Sequence, residues 1–339
     1  MGKTDIAIYP IFIPFVGCPN KCIYCDQLKT SEPFSPKSID LKKIFSFINF
    51  NKKKRKEIAF FGGTFTNQKK LDMDRLFNLF CKVSSKIDGF RISTRPDFIN
   101  EDILKYLKSK KVINIELGVQ SFSDKVLKNS LRGYNKKRVI TSCYLVKKYG
   151  FNLTIQLMPF LQSEDKISLK ETVNETVKIS PEYVRIYPTI VIKGTYLEEL
   201  YKKGYYTPPT LKQGIKVVAK MKTIFEKAKI KVIKVGVHSD IPKESIIAGV
   251  FHPAFGQMVE CEILKRKILL APNKNNCLVV SRRNYNLIRA RGVTLQKELE
   301  QKIKNLVIKK SSKLKKGEFY FEKMVGDTGF EPVTSTMST

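Results

Sequence analysis

The sequence predicts an α/β fold: repeated strand–helix units building one parallel sheet, then a small basic α/β appendage. Short, almost wholly apolar segments alternate with longer stretches whose apolar residues recur near 3.6. The alternation runs through six units before the pattern changes, which suits an open, partial barrel or a doubly wound sheet. In either form ligands belong at the C-terminal ends of the strands, and the unusual residue runs of this chain fall there.

The first strand is predicted over Ile6 to Phe15, rich in Ile and Phe, and ends at a cysteine loop. A helix follows near Ser38 to Phe50, then strand Glu57 to Phe61, helix Asp72 to Ile87 and strand Phe90 to Thr94. Helix Asn100 to Ser109 leads to strand Val112 to Gly118 and to helical patterns at Ser123 to Asn129 and Lys136 to Tyr149. Strand Phe151 to Met158, helix Glu164 to Ile179 and strand Tyr183 to Tyr187 complete the run. A long excursion, Pro188 to Pro209, carries a short helix from Leu197 to Lys203; helix Leu211 to Ala228 and strand Lys231 to Val235 close the main domain. The expected division is residues 1–238 for the core domain, 239–323 for the extension and 324–339 for a disordered tail. In the extension, strands at Leu278 to Ser281 and Glu318 to Phe321 are expected around a basic helix, Leu295 to Lys310. The tail, with Val325-Gly326-Asp327-Thr328-Gly329-Phe330, resembles peptides at the ends of unrelated bacterial reading frames that run on into a stable-RNA gene.

Composition narrows the class. At 339 residues and 42% apolar, without Trp, the chain can bury a sizeable core and is not a disordered one. No apolar stretch approaches the roughly 18 residues that span a bilayer. Met1 to Pro10 lacks the charged and apolar regions of a secretory signal, so no membrane partner and a cytoplasmic location are expected. The formal charge of +32 suggests a polyanionic partner such as tRNA or another nucleic acid. Lysine outnumbers arginine about fourfold, so an AT-rich coding bias spreading lysine over solvated faces explains the surplus equally well.

Seven cysteines, an odd count, argue against a disulfide framework. Cys81, Cys143, Cys261 and Cys277 are scattered and read as buried small side chains. The other three, Cys18, Cys22 and Cys25, stand at Cys-x3-Cys-x2-Cys spacing and bring three thiolates onto one loop without a local fourth ligand. Structural zinc sites usually close with a fourth Cys or His, whereas a [4Fe–4S] cluster on three cysteines leaves one iron open to react.

With Tyr24 before the last cysteine, the loop reads Cys-x3-Cys-x-aromatic-Cys, and Phe60-Phe61-Gly62-Gly63-Thr64-Phe65 follows the second strand. Together these resemble the radical S-adenosylmethionine (SAM) superfamily, and the expected sheet is its partial (β/α)6 parallel barrel. In that family three cysteines bind a [4Fe–4S] cluster whose free iron holds the amino and carboxylate groups of SAM. One electron, from a flavodoxin or ferredoxin type of reductant, cleaves SAM to methionine and a 5′-deoxyadenosyl radical. Ser93-Thr94-Arg95-Pro96-Asp97 and Glu116-Leu117-Gly118-Val119-Gln120-Ser121 are similar to stretches in the radical domain of the Elongator catalytic subunit and in oxygen-independent coproporphyrinogen oxidase. The resemblance implies that Cys18, Cys22 and Cys25 hold the cluster, and that Tyr24, Gly62, Gly63, Thr64, Ser93, Gln120, Arg132 and Gln156 surround SAM. At Gly62-Gly63 the backbone would receive SAM's amino group, where a side chain blocks close approach. Arg132 suits carboxylate recognition. Where the coproporphyrinogen oxidases carry acidic residues for SAM, this chain has Ser93 and Gln156.

Arg185-Ile186-Tyr187-Pro188-Thr189 and Lys193-Gly194-Thr195 extend the Elongator likeness to about residue 206. About 80 non-tail residues follow Asp240, too few for an acetyltransferase domain, so acetyl-CoA chemistry is not expected. His252, in Phe251-His252-Pro253-Ala254-Phe255-Gly256, reads either as part of a packed loop or as a cover over the site. The competing reading is an RNA-binding protein with a structural Fe–S or zinc site and no SAM cleavage, supported by the charge and the basic helix.

Overall fold

The computed structural model describes residues 6–19, 21–26, 40–51, 54–237, 241–272, 275–289, 295–315 and 317–322. The 324–339 tail, His238 and the junction expected at 238/239 lie outside them. The chain divides into two compact units, Met1–Gly256 and Gln257–Thr339.

The first unit is built on seven parallel strands: β1 (Ile6–Phe12), β2 (Arg55–Phe61), β3 (Gly89–Thr94), β4 (Val112–Gln120), β5 (Asn152–Leu157), β6 (Tyr183–Ile186) and β8 (Lys231–Val235). Their order is β1-β2-β3-β4-β5-β6-β8, so each strand lies beside its predecessor in the sheet. The helices Glu101–Ser109, Lys136–Lys148, Lys166–Ile179 and Leu211–Lys227 connect successive strands, and side chains satisfy their first N–H groups: Asn100, Asn135, Asp165 and Thr210 are the caps. The sheet curls into a half-barrel. In a flat sheet β2 and β6, four spacings apart, would be separated by roughly 19 Å. Yet the Arg185 guanidinium on β6 lies 4.5 Å from the centre of the Phe61 ring on β2.

The outer face is apolar and covered. Phe60 packs against Phe65, Phe77, Phe80 and Phe90 at ring separations of 5.2, 5.7, 5.8 and 6.0 Å. Burying one such side chain stabilises by roughly 1.5–3 kcal/mol. The inner face differs from the apolar reading of these strands. Glu57, Arg91, Asn114, Glu116, Thr154, Gln156 and Arg185 occupy alternate positions and fill the lumen with paired charges. Such pairing is what lets charged groups stay out of water. The helix expected over Asp72 to Ile87 is shorter, Lys70–Asn78, and a 3-10 stretch, Cys81–Lys86, buries Val83. A ribbon of β7 (Ile190–Ile192) and β9 (Ile246–Gly249), absent from the sequence reading, pairs antiparallel near the C-terminal rim.

The second unit has three strands, β10 (Cys277–Ser281), β11 (Val307–Ser311) and β12 (Phe319–Glu322), in the order β11-β10-β12. Leu264, Ile268, Leu278, Val280, Ile288 and Leu299 form its core. The basic helix expected from Leu295 to Lys310 ends at Glu300. Asn305 takes a left-handed φ of 53°, and Val307–Ser311, with its β-branched start, joins β10 as a parallel strand instead.

Candidate active site

The cysteine loop and the glycine loop interlock at backbone level. Thr64 N donates to Val16 O at 2.7 Å. Gly63 has φ 63°, and a Cβ there would stand 2.2 Å from Val16 O; Gly17, at φ 72°, would put one 2.3 Å from Thr64 O. Neither position accepts a side chain, so glycine here serves the approach of one loop to the other. Asn67 Nδ2 donates to Gly17 O at 2.8 Å, and Cys18 Sγ lies 3.5 Å from Thr64 Oγ1. Between the other two cysteines the chain turns tightly, Cys25 N donating to Cys22 O at 3.0 Å. Ile23, 1% exposed, pins this turn among Val126, Leu161, Val191 and Leu197.

A cavity of about 250 Å³ opens at the strand ends. Cys18, Cys22, Tyr24 and Cys25 line it, as do Gly62 and Gly63. Ser93, Gln120, Arg132 and Gln156 also line it, while Thr64, whose hydroxyl lies 3.5 Å from Cys18 Sγ, is not in the lining. Gln120 takes φ 70° where the β4–β5 register shifts, and Gln156 Nε2 donates to Gln120 Oε1 at 3.3 Å.

Arg132 is 5% exposed and fully engaged. Its Nη1 donates to Cys22 Sγ and to Tyr24 Oη, each at 3.0 Å. Its Nη2 donates to Gly118 O at 2.7 Å, and its Nε to Tyr134 Oη at 2.8 Å. Burial pushes the Tyr134 phenol up to about 12, so its proton stays on at neutral pH and bonds Gly118 O at 2.8 Å. Arg95 packs against that ring as well: its guanidinium lies 5.2 Å from the Tyr134 centroid while its Nε donates to Asp97 at 2.9 Å.

Several lining residues were not singled out from the sequence. Glu116, Arg185 and Tyr187 form the polar depth, with Arg185 Nε 2.9 Å from Glu116 Oε2 and Nη1 donating to Tyr187 Oη at 2.8 Å. Ile190, Ile192, Val237 and Ile241 make the apolar side. The signal for the polar set was the period-2 placement of charged residues inside otherwise apolar strands. His252 is exposed and outside the lining; its Nδ1 accepts from Ala254 N at 3.0 Å, a local loop bond. Among the described residues no three Cys, His, Asp or Glu side chains gather closely enough to ligate a single ion.

The Radical SAM superfamily model matches residues 12–175, and the Radical_SAM C-terminal domain model matches residues 181–265. The chain belongs to the radical SAM superfamily. It is an enzyme of that class, with a [4Fe–4S] cluster and SAM as its cofactors. An uncharacterised protein of Methanocaldococcus jannaschii is 32% identical over 232 residues, covering 64% of this chain and 71% of that one. A tRNA uridine(34) acetyltransferase of the same organism is 31% identical over 172 residues, which are 50% of this chain. The matched stretch spans about a third, 31%, of that acetyltransferase's length. The fold is that of Methanocaldococcus infernus Elp3, with a TM-score of 0.61 at 22% identity, covering 78% of this chain and 64% of that one. No helix among the described residues is long and apolar enough to cross a membrane.

The donor set suits an anionic cluster in this radical SAM enzyme. Three thiols line one cavity, and Arg132, buried beside Cys22, pairs with no carboxylate among the described residues. A buried cation needs an anionic counterpart, which a thiolate-ligated cluster supplies.

Proposed function

We propose that this chain uses Cys18, Cys22 and Cys25 to hold its cluster, binds SAM across the cavity, and modifies tRNA. Bound together, the two cofactors supply one-electron reductive cleavage of SAM to methionine and a 5′-deoxyadenosyl radical. The chain's own residues bind and orient. The Gly62-Gly63 backbone offers a close approach for SAM's amino group, and Thr64 steadies Cys18 through its hydroxyl. Ser93 and the Gln120–Gln156 pair present neutral donors and acceptors to polar groups of SAM. Ile190, Ile192, Val237 and Ile241 keep water from that side of the cavity, which protects a reactive species from quenching.

The observation that carries the reading is that all three cysteines line one cavity together with Gly62, Gly63 and the polar strand ends. The tRNA substrate is supported by the half-chain similarity to a tRNA uridine(34) acetyltransferase and by the +32 charge. Anaerobically reconstituted protein is expected to carry about four irons per chain and to release 5′-deoxyadenosine from SAM under reduction. Cys22→Ala loses both activities, and undiminished SAM cleavage in that variant would sink the assignment. For the substrate, deletion of the gene changes the mass of a tRNA nucleoside, and purified protein binds tRNA with strong salt dependence. An unchanged tRNA pool with salt-insensitive binding removes tRNA from the proposal.

The reading of an RNA-binding protein without SAM cleavage has lost its structural support. Its basic helix ends at Glu300 and continues as a strand.

A further inference from the structure

The second unit concentrates positive charge. Residues 257–323 hold 17 basic and 6 acidic side chains, a surplus of 11 in 67 residues, which is about a third of the chain's +32 on about a fifth of its length. No acidic residue occurs between Glu262 and Glu298, and four of the chain's twelve arginines fall between positions 282 and 291. A coding bias that spreads lysine over solvated faces does not gather arginine in one place. Both family models end by residue 265, short of this stretch.

The fold holds three of these arginines on one surface. β10 and β11 are parallel neighbours, and the chain crosses between them through two short helices, Arg282–Ile288 and Leu295–Glu300. Ser281 caps the first helix, its hydroxyl accepting from Asn284 N at 3.3 Å. Asn284 and Ile288 are buried on the inner side, where Asn284 Nδ2 donates to Glu318 O at 3.2 Å. Helical spacing then sets Arg282, Asn286 and Arg289 along the outer side, with Tyr285 and Arg283 flanking them. Arg282, Arg283 and Arg289 are all exposed, and Arg291 lies outside the described residues. The other eight described arginines are engaged by protein acceptors, as Arg91 is by Glu57, Arg185 by Glu116 and Arg266 by Glu262. Among the described residues Arg282, Arg283 and Arg289 make no ion pair and no side-chain hydrogen bond; Arg289 instead lies over the Tyr285 ring, 5.0 Å from its centre.

We infer that the outer face of helix Arg282–Ile288, together with Arg289, docks the sugar–phosphate backbone of tRNA and holds the substrate while the first unit does the chemistry. The inference rests on the tRNA reading above. A guanidinium presents a planar fork of donors that matches phosphate, and it is weakly hydrated, so little is lost in the exchange. Arginines with no carboxylate partner keep their full charge for such a ligand, and phosphate neutralisation with release of counterions dominates nucleic-acid affinity. Tyr285 supports Arg289 on its ring face without neutralising it, which orders the guanidinium before a phosphate arrives. Seven positions of helix separate Arg282 from Arg289 by roughly 10 Å along the axis, so the face meets a run of phosphates rather than one small anion. Contacts of this kind fix where an RNA sits and carry no base sequence, leaving the choice of nucleotide to the cavity of the first unit.

The test measures binding of unmodified tRNA transcripts to the full-length reconstituted enzyme over a range of salt concentrations. Arg282→Gln/Arg283→Gln/Arg289→Gln is expected to bind about tenfold more weakly. Its slope of log affinity against log salt falls by about two, since each lost phosphate contact removes about 0.7. Iron content and 5′-deoxyadenosine release without tRNA stay at the wild-type level, because none of the three lines the cavity. The control, Lys166→Gln/Lys170→Gln/Lys220→Gln, removes the same charge from exposed positions of the first unit. Equal losses of affinity and slope in the two triple variants overturn the inference in favour of diffuse charge. Should the arginine variant fail to fold, phenylglyoxal labelling of the wild type decides. Protection by tRNA of the peptides bearing Arg282, Arg283 and Arg289 supports the inference, and labelling that tRNA leaves unchanged overturns it. A wild type that binds no tRNA, even one captured by anionic phospholipid vesicles, overturns both this inference and the tRNA reading on which it rests. Tight tRNA binding by the wild type with an unmoved arginine variant overturns this one only.

Discussion

The Arg91 guanidinium on β3 donates through Nε to Glu57 Oε2 on β2 at 2.8 Å, and neither side chain meets solvent. Arg91 Nη1 also bonds Asn114 Oδ1 and Thr154 Oγ1, so one residue ties four neighbouring strands from inside the half-barrel. Removing one member of a buried pair strands the other charge, at a cost of roughly 3–5 kcal/mol. Arg91→Met and Glu57→Gln are each expected to lose stability on that scale, read as a fall in the urea midpoint. The double variant Glu57→Leu/Arg91→Met loses less than the sum, because it removes both charges together. A double variant that is fully additive would show that the two charges do not depend on each other.

Gly63→Ala tests the interlocked loops. The left-handed φ of 63° alone costs an alanine roughly 1–2 kcal/mol, and its Cβ would stand 2.2 Å from the Val16 carbonyl oxygen. Gly204, at φ 76° with nothing near its Cβ, is the control that carries the φ cost alone. Gly63→Ala is expected to lose iron content on reconstitution as the cysteine loop moves, while Gly204→Ala keeps it. Equal iron in both proteins would refute the interlock.

The scattered cysteines differ in reactivity. Burial pushes the Cys143 thiol up to about 12, leaving almost no thiolate at neutral pH, whereas Cys81 is exposed. Iodoacetamide at pH 7.5 is expected to alkylate Cys81 and to leave Cys143 unmodified until the protein is unfolded, as peptide mass mapping would read out. Modification of Cys143 at the rate of Cys81 in folded protein contradicts this.

Glu164 gives a pH dependence with a definite sign. Burial pushes its carboxyl up from 4.5 to about 8, outweighing the lowering by the Phe160 N–H that it accepts, while Asp165 adds to the rise. Its Oε1 is enclosed and makes no hydrogen bond. The folded state therefore holds the proton more tightly than the unfolded chain. Its contribution is most favourable below the ordinary value and is lost as pH rises from 4.5 to about 8, with no further change above. Each unit of such a shift corresponds to about 1.4 kcal/mol. Glu164→Gln should flatten the stability profile between pH 5 and pH 8 and raise the melting temperature at pH 8 relative to wild type. A variant profile parallel to wild type across that range would count against the buried carboxyl.

Much of the site was legible because its residues are contiguous in the chain. Cys18, Cys22 and Cys25 announce themselves by spacing, and Gly62-Gly63 by its place after an apolar strand. Arg185, Glu116 and Tyr134 were harder to see as site residues. Arg185 and Glu116 look like isolated charges in apolar runs, and only curling of the sheet brings Arg185 on β6 over Phe61 on β2 at 4.5 Å. Tyr134 reads as an ordinary loop residue until its hydroxyl is found bonded to Arg132. The segment Val307–Ser311 failed for the opposite reason. Its lysines continue a helical-looking pattern, but pairing with β10 outweighs that local preference.

The order of strands and helices, the cysteine loop and the rim on which ligands gather followed from local patterns: period, turn residues and spacing act over a few residues and leave their trace in the chain. Tertiary structure alone decided what the glycines and Arg132 do there. Gly63 answers to the Val16 backbone, 47 positions earlier, and Arg132 to Cys22, 110 positions away. Contacts of that range depend on how the sheet curls and which loops it presses together, and no local pattern encodes them.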